Sequence, residues 1–205
     1  MKYYLILLLA ALQSFAQTVD MEKDTIQMNE IVVQKKGKKL KLKTRSLRGP
    51  CYSPENFKEV TEVVTLVENV PKGYLETVSF YFNGQPRSGK ASDPSQQTQL
   101  EVVLYEAADN NIPGARIATD PLVITVNSKT GRIRTDISGS AIKSTGKLFV
   151  GLREVERNTE NNYFIDCLCN GHDKYITMAR AEEDAEWARR WVCAAMKADV
   201  SVVAE

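Results

Sequence analysis

The chain has 205 residues, of which 43% are hydrophobic, enough for a buried core in one domain of ordinary size. Its 27 lysines and arginines stand against 26 acidic residues, and so even a balance excludes the whole-molecule field that draws in nucleic acid or acidic lipid. No apolar run reaches the roughly 20 residues of a bilayer-spanning helix, which excludes a transmembrane span in the mature chain.

The N-terminus reads as a signal peptide. Lys2 is followed by an apolar run over residues 3–12, and the small residues Ser14 and Ala16 stand at the cleavage positions, which predicts a leader over 1–16. Its removal takes Lys2 with it and leaves 26 cationic against 26 acidic groups. The expected address is export, to the periplasm, the outer membrane or the cell exterior. Residues 17–49 follow as a basic arm, flexible or edge-paired, carrying Lys35, Lys36, Lys38, Lys39, Lys41, Lys43, Arg45 and Arg48 with almost no aromatic groups. Within it, Leu40 to Lys43 alternates at period two, a short strand with its lysines outward, where edge lysines discourage aggregation.

Residues 50–205 carry short β-type runs at 60–67, 74–82, 100–106, 122–126, 131–137, 148–155, 163–169, 175–179 and 200–203. Val78, Phe80 and Phe82 face one way while Thr77, Ser79 and Tyr81 face the other, and Ile133, Thr135 and Ile137 oppose Arg132, Arg134 and Asp136. One face is read as core and the other as wet. Asn83-Gly84, Asp109-Asn110-Asn111, Pro113-Gly114, Thr130-Gly131 and Asn170-Gly171 supply turn chemistry between the runs. Strands at this spacing, with no helices between them, predict an all-β, two-sheet antiparallel sandwich, jelly-roll-like, with an open barrel as the second choice. The predicted core includes Phe80, Leu104, Ile124, Ile133 and Val150. In the stretch 181–198, Trp187, Trp191 and Ala195 fall at helical spacing; a turn near Glu182 to Glu186 followed by a strand is preferred, because tertiary pairing overrides propensity near the end of a sandwich.

Four cysteines in an exported chain point to disulfides. Cys51, Cys167, Cys169 and Cys193 allow three pairings, and a Cys167 to Cys169 bridge would close a very small strained ring. The expected pairing therefore joins Cys51 or Cys193 to one member of the Cys-Leu-Cys pair. The single histidine, His172, follows that pair at a spacing wrong for a zinc knuckle, so no metal and no cofactor is expected. One histidine and no Gly-x-Ser-x-Gly elbow argue against a serine hydrolase, and no spacing selects a glycosidase pair among Glu101, Asp136, Glu154 and Asp166. The chain is read as a non-enzyme. Tyr81 and Tyr105 point outward by alternation and form an expected ligand face, with the polar loop over 83–99 reaching across it.

Two stretches resemble known families. Asp24-Thr25-Ile26-Gln27-Met28-Asn29-Glu30-Ile31-Val32-Val33 resembles the Leu-x-Glu-Val-Val-Val linker that precedes the plug of TonB-linked outer-membrane receptors in Gram-negative bacteria. Residues 75–82, 100–105, Ile112-Pro113-Gly114, 131–137 and 146–152 are together similar to small exported β-sandwich proteins of such bacteria, of the carboxypeptidase-like regulatory kind. The resemblance implies a sandwich and an envelope address and brings no catalytic residues. Asp24-Thr25-Ile26 also matches the acidic, hydroxyl, aliphatic triplet on which some of these bacteria place O-linked glycan, which makes Thr25 a modification candidate. The expected function is a non-catalytic interaction or envelope-assembly module with an envelope protein as partner; the alternative is a carbohydrate-binding sandwich whose partner is a polysaccharide.

Overall fold

Valine, isoleucine, threonine and aromatic residues alternate with polar ones through most of the chain, and that pattern is satisfied only where one side of each strand is covered. The computed structural model shows how, describing residues 41–49, 52–57, 59–83, 95–117, 119–156, 163–169, 175–191 and 193–204. The leader, Thr25 and the rest of 1–40, Cys51, His172 and most of the 83–99 loop lie outside these described residues.

In chain order the strands are β1 (Lys41–Ser46), β2 (Tyr52–Glu55), β3 (Glu62–Glu68), β4 (Tyr74–Asn83), β5 (Thr98–Ala107), β6 (Pro113–Arg116) and β7 (Val123–Val126). They continue as β8 (Arg132–Asp136), β9 (Lys147–Glu154), β10 (Phe164–Leu168), β11 (Thr177–Arg180), β12 (Ala188–Arg189), β13 (Ala195–Met196) and β14 (Ala198–Ala204), with one 3-10 turn at Ser138–Ser140. Among the described residues there is no α-helix. The first sheet runs β1-β14-β4-β10-β13, with β2 also on β10 and β8 on β4; the second runs β12-β11-β3-β9-β5-β6, with β7 on β5. The chain is an all-β antiparallel sandwich, and most successive strands cross from one sheet to the other, the weave of a jelly roll.

The core lies between the sheets. Val63, Val67, Val102, Leu104, Val150 and Leu152 of the second sheet pack in one cluster with Val78, Phe80, Phe82, Ile165, Val200 and Val202 of the first, and Ile124 and the partly buried Ile133 join it. All five core residues expected from the sequence are therefore in this cluster or packed against it. At Glu76 the alternation of β4 shifts: Ser201 pairs with Thr77 but Val202 pairs with Leu75. This bulge is what lets Leu75 face inward alongside even-numbered Val78 and Phe80. At the centre of the second sheet Gly151 pairs with both Val64 and Val103; a Cβ there would lie 2.2 Å from the Val63 carbonyl oxygen, so no other residue fits.

Three expectations need correction. Thr77 and Ser79, assigned to a wet face, are buried; over Ser79 the longer Arg132 side chain closes, donating to its hydroxyl at 3.2 Å. Lys41, Lys43 and Arg45 pair with Ala204, Val202 and Val200 and so lie on the core-facing side of β1 instead of the outer side. At the rim of the sandwich this parity leaves the lysines exposed, while the Arg45 Nε–H reaches across to the Glu68 carbonyl of β3 at 2.9 Å. Pro113-Gly114, read as a turn, begins β6, and Pro54 sits in the unforeseen β2; proline is tolerated at a strand start or edge, where no amide donor is needed. In the ambiguous C-terminal stretch, the Ala185 amide donates to the Glu182 carbonyl at 3.2 Å in a turn, and β12, β13 and β14 follow, so pairing overrides the helical spacing of the two tryptophans.

The last part of the basic arm belongs to the sandwich. β1 pairs with β14 over its whole length, the Leu47 amide donates to the Ala198 carbonyl at 2.9 Å, and the Leu47 side chain sits in the core. The Cys167–Cys193 disulfide joins β10 to the segment leading into β13, with both residues fully buried; Cys169 is disulfide-bonded as well. Replacing Leu47 by Ala should cost about 2 to 5 kcal/mol, the range for a buried leucine that leaves a cavity. A denaturant melt showing less than about 1 kcal/mol would mean that residues 41–49 are dispensable to the fold.

Candidate functional site

The two tyrosines expected to share a ligand face stand on different sheets. Tyr81 lies on β4 in the first sheet and Tyr105 on β5 in the second.

Around Tyr81 the outer side of the first sheet carries a connected polar cluster. Asp199 on β14 pairs with Ser79 on β4, which pairs with Arg134 on β8; the Asp199 carboxylate is only 6% exposed, and a carboxylate removed from water needs partners. It has two: the Tyr81 hydroxyl donates to it at 2.6 Å and Arg132 Nη2 at 3.1 Å. Arg132 also stands 5.3 Å from the Tyr81 ring centre. Lys197 Nζ lies 4.5 Å from the Tyr81 centroid and 4.4 Å from that of Tyr52, within the range of cation–π attraction, and is 3.5 Å from the Asp166 carboxylate. Burial, then the hydrogen bond to Asp199, pushes the Tyr81 phenol above its ordinary value. The result is a fixed surface of two tyrosines, one arginine and one lysine. Tyr52 is 37% exposed, and the sequence reading missed it because β2 is short and interrupted by Pro54.

Tyr105 must be corrected. Alternation placed it away from the main core, and it does face the outer side of the second sheet, yet it is buried in a second apolar layer with Val64, Leu66, Val103, Phe149 and Met178, against which Ile176 and Trp187 pack. Its hydroxyl donates to Glu62 Oε1 at 2.7 Å and accepts from Arg180 Nη2 at 2.9 Å. The Trp187 ring meets the Tyr105 ring edge to face at 5.3 Å, and Arg180 lies 4.5 Å over Trp187. Tyr105 is thus a structural group with no open face for a ligand.

Glu62 and Arg180 open a row of alternating charge across four neighbouring strands. Arg180 on β11 pairs with Glu62 on β3, Glu62 with Arg153 on β9, and Arg153 with Glu101 on β5. Arg180 Nη2 and Glu62 are 2.6 Å apart, Arg153 Nε donates to Glu101 at 3.0 Å, Arg116 closes on Glu101, and Arg153 also meets Glu183 at 2.8 Å. Opposite charges on directly facing residues hold neighbouring strands in register.

The other carboxylates weighed from the sequence are held separately. Glu154 accepts from the Tyr163 hydroxyl at 3.1 Å, Asp166 pairs with Lys197, and Asp136 accepts the Ser138 amide at 2.9 Å, a bond that holds its carboxyl below the usual range. The oxidised Cys167, Cys169 and Cys193 offer no thiolate, and among the described residues no group of three or more histidines, cysteines or carboxylates gathers. A cleft of about 110 Å³ floored by Leu75, Ile117, Ile142 and Leu148 is small beside the several hundred Å³ of a typical small-molecule pocket. Compared with family models, curated proteins and solved structures, the chain matches none, so the reading of this face rests on its chemistry.

Two outcomes test the geometry. Glu62→Gln leaves Arg180 without its charge partner in a buried site and should cost about 3 kcal/mol in a denaturant melt; an unchanged midpoint would contradict the row. Tyr105 and Tyr163 both have raised phenol values, chiefly through burial and then through Glu62 and Glu154 respectively. A folded-state value above the unfolded one means the stabilisation is whole below pH about 10 and is lost as pH climbs past it. Phenolate absorbance should therefore show these two residues ionising only as the fold opens in alkali, and normal ionisation in the folded protein would refute it.

Proposed function

We propose that this chain is an exported, non-catalytic interaction module of a cell envelope, and that it meets its partner through the outer side of the first sheet around Tyr81. The observation that carries the reading is the buried Asp199 carboxylate, which fixes both Tyr81 and Arg132 while Lys197 stands against both tyrosine rings. Tyrosine and arginine anchors held rigid before contact lose little entropy on binding, and such residues dominate interface energetics. The buried carboxylates Glu62, Glu101 and Asp199 are each neutralised by a guanidinium, an arrangement suited to holding surfaces in place. Export accords with the leader-like first 16 residues and with the buried disulfide.

The polysaccharide alternative draws on the exposed Tyr52 ring. The cation against both rings disfavours it, since a stacking sugar would have to share or displace Lys197.

Full-length protein, its Tyr52→Ala and Arg132→Ala variants, and a buffer control should be compared for co-purification with envelope proteins and for retention on a polysaccharide array. Loss of about tenfold or more in envelope association is expected for both variants as hot-spot residues, with an unchanged melt for Tyr52→Ala and a lowered one for Arg132→Ala, which takes the guanidinium from the buried Asp199. Envelope association unaffected by either change would overturn the assignment of the face. Retention on the array that depends on Tyr52 alone would establish the carbohydrate reading in its place.

A further inference from the structure

β12 is the outermost strand of the second sheet, and no described strand pairs with its far side. Its inner side is well defined: the Arg190 amide donates to the Thr177 carbonyl at 2.8 Å, and Met178 faces Arg189 across the β11 pairing. Because amides alternate in direction along a strand, the backbone groups of Trp187, Arg189 and Trp191 point away from β11 toward the free edge. Ala188 and Arg189 are exposed, and Trp191 is 57% exposed with the Arg189 guanidinium 4.3 Å over its ring.

The segment along this edge reads Glu186-Trp187-Ala188-Arg189-Arg190, and it is complementary to itself run backwards. If two copies pair antiparallel about Ala188, Glu186 of each faces Arg190 of the other, Trp187 faces Arg189, and Ala188 faces Ala188. The odd-numbered residues, whose backbone groups point outward, become the hydrogen-bonded pairs, and the Ala188 pair takes the close, non-hydrogen-bonded position that suits a small side chain. A register centred half a residue to either side would put outward-pointing backbone groups opposite inward-pointing ones, one centred on Arg189 would put that arginine opposite itself, and one centred on Trp187 would put Glu186 opposite Ala188 and lose both ion pairs.

A second observation concerns Arg190. Among the described residues its Nε is buried with no acceptor and Nη2 has a 3.5 Å contact to the Asn56 carbonyl, whereas Arg116, Arg153 and Arg180 in the same sheet each have a carboxylate. Glu186 is exposed. Opposite charges at these two positions, one lacking a carboxylate and the other free to give one, are what a two-fold contact brings together.

We propose that the occupant of the β12 edge is a second copy of this chain, joined about a two-fold axis at Ala188 by antiparallel strand pairing, two Glu186 to Arg190 ion pairs and two Trp187 to Arg189 contacts. The two second sheets then continue into each other, and the contact closes on itself as an isologous pair. With so short a strand the dimer is weak and concentration-dependent. The inference does not rest on the ligand-face reading, which concerns the other sheet.

Sedimentation of the full mature chain over a wide concentration range tests it. Glu186→Arg alone and Arg190→Glu alone each replace two attractions by two repulsions and should weaken association about tenfold or more. An equimolar mixture of the two variants restores both attractions and should recover association close to the native level, which also shows that both variants are folded. Ala188→Cys should give an oxidised covalent dimer, because the facing Cα atoms of a non-hydrogen-bonded pair lie about 4.5 Å apart, within disulfide reach. Ala185→Cys, which does not face itself in this register, should not. A chain that stays monomeric at every concentration, a mixture no better than either variant alone, or equal cross-linking at 185 and 188 would overturn the proposal.

Discussion

A carboxylate with no exposed surface persists only if other groups do for it what water did, and Glu62 is such a carboxylate. Its demands organise the outer side of the second sheet. One oxygen takes the Tyr105 hydroxyl and the other takes Arg180, which draws β5 and β11 toward β3. Slipping any of these strands by one residue would move its partner to the opposite face and leave the charge bare. The charge row therefore selects one register among those that hydrophobic alternation alone would permit, and the large cost of the wrong ones outweighs the modest net gain expected of a correct buried ion pair. Trp187 and Met178 can form an apolar layer above the sheet because the polar groups beneath are already satisfied.

Asp199 repeats the device on the first sheet with a different outcome. It too is buried and holds one tyrosine and one arginine, but no tryptophan closes over it, and the Arg132 side chain remains half exposed. The same chemistry thus gives a sealed layer on one side of the sandwich and a presented surface on the other. The difference lies in what the neighbouring strands contribute: the hairpin from β11 to β12 carries Trp187 back over Tyr105, whereas β8 and β2 border Tyr81 with arginine and with an exposed tyrosine.

The sandwich was legible because period-two alternation is strong in β4, β5, β8 and β9, where Val78, Phe80, Leu104 and Val150 mark the inner side. The sites were less legible, for two physical reasons. Alternation says which side of a sheet a residue takes but cannot say whether a second layer covers that side, which is why Tyr105 read as open. Nor can it find contacts made across strands far apart in sequence, such as Lys197 against Tyr52 and Tyr81, since residue 52 announces itself only once β2 is known to pair with β10. The parity of β1 failed for a related reason: its lysines looked like a wet face, but Leu42 is the residue on the outer side and is itself exposed, because an edge strand has little core to offer either face.

The edges of the two sheets are treated differently, and the contrast bears on assembly. β1 places Lys41 and Lys43 on the inward-facing side of its edge and seals the gap to β3 with Arg45, and β6 opens on Pro113; inward charges and proline are recognised ways of making an edge unfit for another strand. β12 has neither. Its far side offers the outward backbone groups of Arg189 beside an exposed Trp191, and its only restraint is its length of two residues. A short edge of this kind cannot template open-ended stacking, since a single pairing consumes it. Where the sequence along it is also self-complementary in charge, the pairing that uses the edge up is two-fold, and a closed pair covers this strand without the covering loop or bulge that other proteins spend on the same problem.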